Sequence, residues 1–341
     1  MENKLQVTKI GSREKLRVLS IQPRSVHENS MIFVKRQNAA LSVHGIELHE
    51  FHLSVCGPSW KFFLQLRKLF ECVLKFKPMI IHAQYGTLTS LLACLFRFSS
   101  KIVVTFRGSD LNLHAAISNT NSARGVFAFL MSQISCLIAH RVICVSQALK
   151  NKIWVGKKGA IVIPDGVDLS LFSPSSRTEA RKKLGLAEDE KILLFNAGYN
   201  PRLKRKDIAD AVSAILQSEI PSFRLLLMEG QVEPSLVPIY MQAADCLLMA
   251  SDSEGSPCVV KEALACNLPI VSVAVGDVRE MIAGVSQCYI VEKCPQAIAK
   301  KISKVLARLQ RSDGQYFASR FDGELASQKL RSLYLSLSKS S

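Results

Sequence analysis

The sequence predicts an α/β protein of two domains, each a parallel sheet with helices on both faces. Three observations carry that expectation. Short apolar runs at 16–21, 79–82, 101–105, 191–197, 223–228, 246–250 and 269–273 alternate with segments of helical periodicity, the order of β-α-β units. The 341 residues suit two domains of ordinary size, and 48% apolar residues supply two cores. A Ser- and Pro-rich stretch at 169–178 reads as a linker.

The elements follow in order. Residues 16–21 and 47–53 read as the first two strands, separated by a helix over 31–44 that Gly45 ends. Residues 60–78 predict a basic amphipathic helix. Trp60, Phe63, Leu66, Phe70, Val73 and Leu74 recur at helical spacing, while Lys61, Arg67, Lys68, Lys75 and Lys77 supply charge. Such a helix can lie on an anionic bilayer, or turn its apolar side to the core and its basic side to water. The strand at 79–82 ends in His82-Ala-Gln-Tyr-Gly86, and that at 101–105 in Phe106-Arg-Gly-Ser-Asp110. Ligands of open α/β sheets bind at such carboxyl ends, although His82 and Asp110 alone could merely cap. Residues 126–140 read as a buried helix, 141–146 as a strand and 147–154 as a helix. Asp165-Gly166 signals a tight turn.

In the second half, a helix over 178–184 ended by Gly185 precedes the strand at 191–197. A turn with Arg202, Lys204, Arg205 and Lys206 follows it. The strand at 246–250 leads into a polar loop. Ser256-Pro257 has the order of an N-cap and first helical residue, with Asn267 as the stop. The free N–H groups and dipole of that helix start make an anion site. Glu254 stands before it and Glu262 in its second turn, where a carboxylate can accept from a diol. Two solvated glutamates on a capped helix is the plainer reading of that pair alone. Helices over 297–309 and 325–335 close the chain.

Lys and Arg number 44 against 28 Asp and Glu, a net charge of +16. The excess is uneven: residues 1–170 hold 22 basic and 9 acidic residues, residues 171–341 hold 22 and 19. An anionic partner for the first half follows, with a membrane surface, nucleic acid or an anionic polymer as the classes. Aromatic platforms and a reader motif are lacking, so nucleic acid is not expected. The ten cysteines sit mostly in apolar runs without metal spacing and read as reduced core residues of a cytoplasmic protein. The polar start at 1–15 does not read as a signal peptide. The longest apolar stretch, 126–139, is too short to span a bilayer, so membrane contact is expected to be peripheral, on the cytoplasmic face. No G-x-G-x-x-G fingerprint is present, which argues against a dinucleotide enzyme.

Asp245, the 251–257 loop, Glu262-Ala-Leu-Ala-Cys266, Leu268-Pro-Ile-Val-Ser272 and Gly276-Asp-Val-Arg-Glu280 together resemble, in order and almost without gaps, the donor-binding segment of family 4 glycosyltransferases of the GT-B fold. The turn after 101–105 resembles the family's Thr-x-His-Gly-x-Asp, with Arg107 in place of His. The turn after Gly198 has Tyr199 in place of an Arg, and the turn at 23–30 lacks the glycines many relatives have.

The resemblance implies two Rossmann-like domains facing across a cleft. The first spans 1–170 and binds acceptor, and the second spans 171–324 and binds donor. A helix within 325–341 then packs back on the first. It also implies a nucleoside-diphosphate sugar as donor, uridine by family frequency, and transfer with retention to a lipid-linked or polysaccharide acceptor at the membrane. Glu262 would hold the ribose diol. Glu254 with Gly255, Ser256, Pro257 and Cys258 would hold the sugar and phosphates. Arg202 or Lys204 would neutralise the leaving diphosphate, where negative charge develops. Arg107 and His82 would stand at the acceptor edge. Arg cannot act as a base, and the family is thought to let the leaving phosphate take the acceptor proton, so no catalytic base is named. Neither metal nor cofactor is expected. A nucleic-acid or anionic-polymer binding protein, or an epimerase turning over donor alone, are the alternatives on the same scaffold.

Overall fold

A computed structural model describes residues 15–24, 31–54, 59–113 and 122–339. The start at 1–14, most of the glycine-free turn at 23–30, and Cys56 lie outside the described residues. Strands β1 (Arg17–Pro23), β2 (Glu47–Leu53), β3 (Ile80–Ala83), β4 (Lys101–Phe106), β5 (Arg141–Cys144) and β6 (Ala160–Val162) form one sheet in the order β2-β1-β3-β4-β5-β6. Strands β7 (Lys191–Gly198), β8 (Phe223–Glu229), β9 (Cys246–Met249), β10 (Ile270–Val273) and β11 (Cys288–Val291) form a second, in the order β11-β10-β9-β7-β8. Every pairing is parallel. The central strands β9 and β10 are buried throughout, as strands covered on both faces are. The edge strand β2 keeps Glu47, His49, Glu50 and His52 toward water, which blunts an open edge.

The helices are α1 (Ile32–Val43), α2 (Ser59–Phe76), α3 (Thr87–Cys94), α4 (Ser122–Ile138), α5 (Gln147–Lys150), α6 (Arg177–Leu184) and α7 (Pro201–Lys204). They continue as α8 (Lys206–Glu219), α9 (Val237–Ala243), α10 (Cys258–Ala265), α11 (Val278–Met281), α12 (Pro295–Arg308), α13 (Gly314–Ala318) and α14 (Gly323–Ser338). On the first sheet, α2 to α5 cover one face through Leu69, Val73, Ala93, Cys136 and Leu149. The other face is covered by α1 and by α14, whose Leu330, Tyr334 and Leu337 bury against Val18, Ile80 and Val103. The second sheet has one continuous core, to which α8, α10 and α12 contribute.

The chain crosses between the two halves twice, side by side. Val167 N donates to Phe321 O at 2.8 Å, and Gly323 N donates to Val167 O at 2.9 Å. A Cβ on Gly166 would overlap the backbone of Gly323, so the crossing needs glycine there.

Four expectations change. Helix α4 is buried on one face only: Phe127, Leu130, Ile134 and Leu137 point outward and are exposed. Helix α5 stops at Lys150, which leaves Trp154 on a loop. The edge strand β11 and helices α3, α7, α8 and α13 add to the predicted elements. Ser256 does not cap α10; its hydroxyl donates to Asp277 Oδ2 at 2.9 Å, and Pro257 takes the cap position. Asn267 does stop the helix, at φ 54°. The nine described cysteines are free thiols, five of them buried.

Candidate active site

In both sheets the strand order reverses beside the first strand of the half, at β1 and at β7, the position where open α/β sheets form their ligand crevice. The two crevices face each other across a cleft of about 340 Å³. Phe33, Arg36, Arg107 and Asp165 line it from one side, Lys204, Glu254 and Glu262 from the other. The halves touch at its floor. A Cβ on Gly255 would overlap the carbonyl of Arg107. Ser146 Oγ donates to Gly255 O at 2.9 Å, and Asn112 Nδ2 donates to Ser253 Oγ at 2.9 Å.

The structure brings Glu254, Gly255, Ser256, Pro257, Cys258 and Glu262 to this one wall. Glu262 projects from the second turn of α10 and pairs with Arg36 Nη1 at 3.5 Å, across the two halves. Burial pushes its carboxyl above the usual range and Arg36 pulls it back. Glu254 accepts from Lys204 Nζ at 2.6 Å. Gly276, at φ 56°, lets the next loop pass against Glu254.

Helix α7 sorts the four cations of its turn. Asn200 caps it, Oδ1 accepting from Leu203 N at 3.1 Å, and Arg205 ends it at φ 60°. One turn of helix aims Lys204 into the cleft. Arg205 is held by Asp207 and Asp252, and Lys206 by Asp210. Arg202 is exposed and does not line the cleft, which corrects its expected place beside the diphosphate. Tyr199 does line the cleft, with its ring against Gly230.

Arg107 reaches the cleft but is spoken for. Its Nη1 pairs with Asp165, its Nη2 donates to Gln84 Oε1 at 2.7 Å and its Nε to Gln84 O at 3.1 Å. The guanidinium lies 4.5 Å from the Phe33 ring centroid. Burial lowers its pKa to about 10, so it stays a cation at neutral pH. Asp110 holds the turn around it by accepting from the backbone N–H groups of Gly86, Arg107 and Gly108.

His82 is not brought to the cleft, contrary to expectation. It is fully buried between β4 and α14. Gln84 Oε1 is taken by Arg107, so the Gln84 amide nitrogen faces His82 Nδ1, at 3.2 Å. Nδ1 is then the acceptor, also toward Tyr334 Oη at 2.5 Å, and Nε2 donates to Thr105 Oγ1 at 2.7 Å. Burial and Arg107 together lower its pKa to about 3. A neutral, enclosed imidazole of this kind fixes structure and cannot trade protons with a substrate.

Sequence reasoning did not single out Arg36, Gln84, Tyr334 or Lys261. Lys261 is wholly buried and donates Nζ to Asp165 O at 2.9 Å, tying α10 to the crossing. A lysine in the otherwise apolar face of α10 was a readable signal. Arg36 gave none, because its partner is 226 positions away. Among the described residues, no group of three or more His, Cys, Asp or Glu is placed to hold a metal ion.

Two facing parallel-sheet domains, a ligand crevice at each switch point and a C-terminal helix returning to the first define the GT-B architecture. The sucrose-phosphate synthase structure of Thermosynechococcus elongatus superposes with a TM-score of 0.78 at 21% identity, covering 95% of this chain and 100% of that one. HepE of Anabaena, solved in complex with UDP, gives 0.69 at 17% identity, covering 94% and 100%. Residues 24–171 match the model of Glycosyltransferase Family 4, and residues 226–313 that of Glycosyl transferases group 1. The chain belongs to the family 4 glycosyltransferases. TuaC of Bacillus subtilis strain 168, a glycosyltransferase assigned to teichuronic acid biosynthesis, is 30% identical over 67% of this chain and 61% of its own length. A D-inositol 3-phosphate glycosyltransferase of Geodermatophilus obscurus is 31% identical over 43% of this chain and 40% of its own. The chain thus spans about three fifths or less of the curated relatives it matches.

Proposed function

We propose that this protein transfers a sugar, with retention, from a nucleoside-diphosphate donor to a membrane-associated lipid-linked or polysaccharide acceptor. It would work at the cytoplasmic membrane face. The observation that carries this reading is the single wall formed by Glu254, the first turn of α10, Glu262 and Lys204. Its chemistry is complementary to such a donor. The ribose diol donates to Glu262, the sugar hydroxyls to Glu254, and the diphosphate meets free helix N–H groups and cations. The two carboxylates are paired with Arg36 and Lys204. Entry of the donor exchanges those partners: hydroxyls take the acids, and the released cations turn to the phosphates. Arg36 stands in for the family Arg replaced by Tyr199.

Neither Arg107 nor His82 can act as a base. As the family resemblance implies, the acceptor proton would pass to the departing phosphate on the same face of the sugar, and attack from that face would give retention. A uridine donor is supported by HepE, whose structures hold UDP and UDP-glucose.

Calorimetric titration with UDP and GDP, without metal, tests the donor site. We expect UDP to bind, and Glu262→Ala to weaken it about tenfold or more while the protein stays folded, as loss of a charge-assisted pair of hydrogen bonds does. Equal affinity in the folded variant would remove Glu262 from the site. Turnover of a UDP-sugar without acceptor would favour an epimerase.

A further inference from the structure

The outer side of the helical layer α2 to α5 is apolar where a solvent face should be polar. Trp60, Phe63, Leu74, Phe98, Phe127 and Trp154 are each at least 60% exposed. They belong to one helical layer, in which Ser90 Oγ donates to Ser135 Oγ at 2.8 Å and holds α3 against α4. Phe70 and Phe96, with ring centroids 4.7 Å apart, join α2 to the turn after α3. Phe129 and Trp154, 5.0 Å apart, join α4 to the loop after α5. An exposed apolar surface of this extent marks an interaction site.

Charge decides what it meets. Residues 59–158 hold 14 Lys and Arg but only two acids, Glu71 and the buried Asp110. Lys61, Arg67, Lys68, Lys75 and Arg97 are exposed among the aromatics. Lys61 lies 5.6 Å from the Trp60 ring and Arg97 5.7 Å from that of Phe98. A second copy docking through the same face would press like charges together. Nucleic acid would satisfy the cations and leave Leu74, Leu137 and Val155 without a partner. A bilayer of anionic lipid satisfies both: phosphates take the cations and the acyl boundary takes the apolar side chains.

We infer that the whole α2–α5 layer, not α2 alone, is a docking face for an anionic phospholipid bilayer. The inference rests on the membrane-borne acceptor proposed above and names the surface that reaches it. Helices α2 and α4 connect parallel strands and so run antiparallel to them. Their first two turns, with Trp60, Phe63 and Phe127, stand at the cleft end of the sheet. Docking this layer holds the cleft mouth beside the headgroups, where a lipid-borne acceptor presents its sugar.

Co-sedimentation with vesicles tests this. One set is an equal mixture of phosphatidylglycerol and phosphatidylcholine, the other phosphatidylcholine alone. The protein should sediment with the first and not the second, and lose binding as salt rises. Phe63→Asp and Phe127→Asp, on separate helices, should each weaken partitioning about tenfold, as should Lys68→Glu with Lys75→Glu. UDP affinity should be unchanged in all three, which separates this result from failure of the donor site. Three outcomes would overturn the docking face: no sedimentation with anionic vesicles, wild-type partitioning of all three variants, or a dimer in sedimentation velocity that Phe63→Asp dissolves. Tighter binding to a single-stranded oligonucleotide than to vesicles would give the face to nucleic acid instead.

Discussion

His82 shows how burial decides a residue's role. In sequence it stands at the carboxyl end of a strand, where substrates bind. In the fold it is sealed behind Gln84 and Tyr334, neutral, with its pKa near 3. An unfolded chain protonates the same ring near pH 6.5. Because the folded pKa is depressed, its contribution to stability is complete above pH 6.5 and is lost as the pH falls toward 3. Between pH 7 and 5 the loss should be about 2 kcal/mol. Urea denaturation at both pH values should show that loss in the native protein and a smaller one in His82→Gln; equal losses would mean another group titrates. At this scale the sequence was only partly legible. Glu254 and Glu262 could be found because each sits in a local pattern that also fixes its direction. Arg202 could not be told from Lys204, since its direction depends on where one turn of helix begins and on the left-handed residue Arg205. Arg36 was invisible because its meaning comes from Glu262, in the other half.

The strands and long helices were the most readable elements, because apolar runs and helical periodicity are local. What escaped depends on distant partners. The start of α10 moved by one residue because Asp277, 21 positions on, takes the hydroxyl that would have capped it. Helix α4 read as buried because composition counts apolar side chains without saying whether anything covers them. The Gly255 loop rests on contact with the opposite half, and that contact makes it testable. Gly255→Ala places a methyl into the backbone of Arg107, which, unlike a flexible side-chain end, cannot swing aside. We expect a cost of about 1–3 kcal/mol in thermal unfolding, as for other overpacked sites, together with weaker UDP binding as the wall of α10 shifts. A variant with unchanged melting and affinity would mean the halves part freely at that point.

On the scale of the whole molecule, the basic excess lies in the first half, while the acids proposed to take the donor lie in the second. No helix among the described residues is long and apolar enough to cross a membrane. The paired crossings at Val167 and Gly323 bring both connections between the halves to one seam. They also make the second domain an insertion within the first, whose last helix is α14. Removing residues 323–341 should therefore uncover Val18, Ile80 and Val103 and raise binding of an apolar dye, while the second domain still melts cooperatively. A truncated chain that binds no more dye than the parent would show that α14 is dispensable to that core. The order of synthesis then runs against the order of completion. The first domain leaves the ribosome before the second, with one sheet face covered by α1 alone and His82 lacking its tyrosine. It must wait, exposed to chaperones and to misplaced partners, until α14, made after the whole second domain, reaches it.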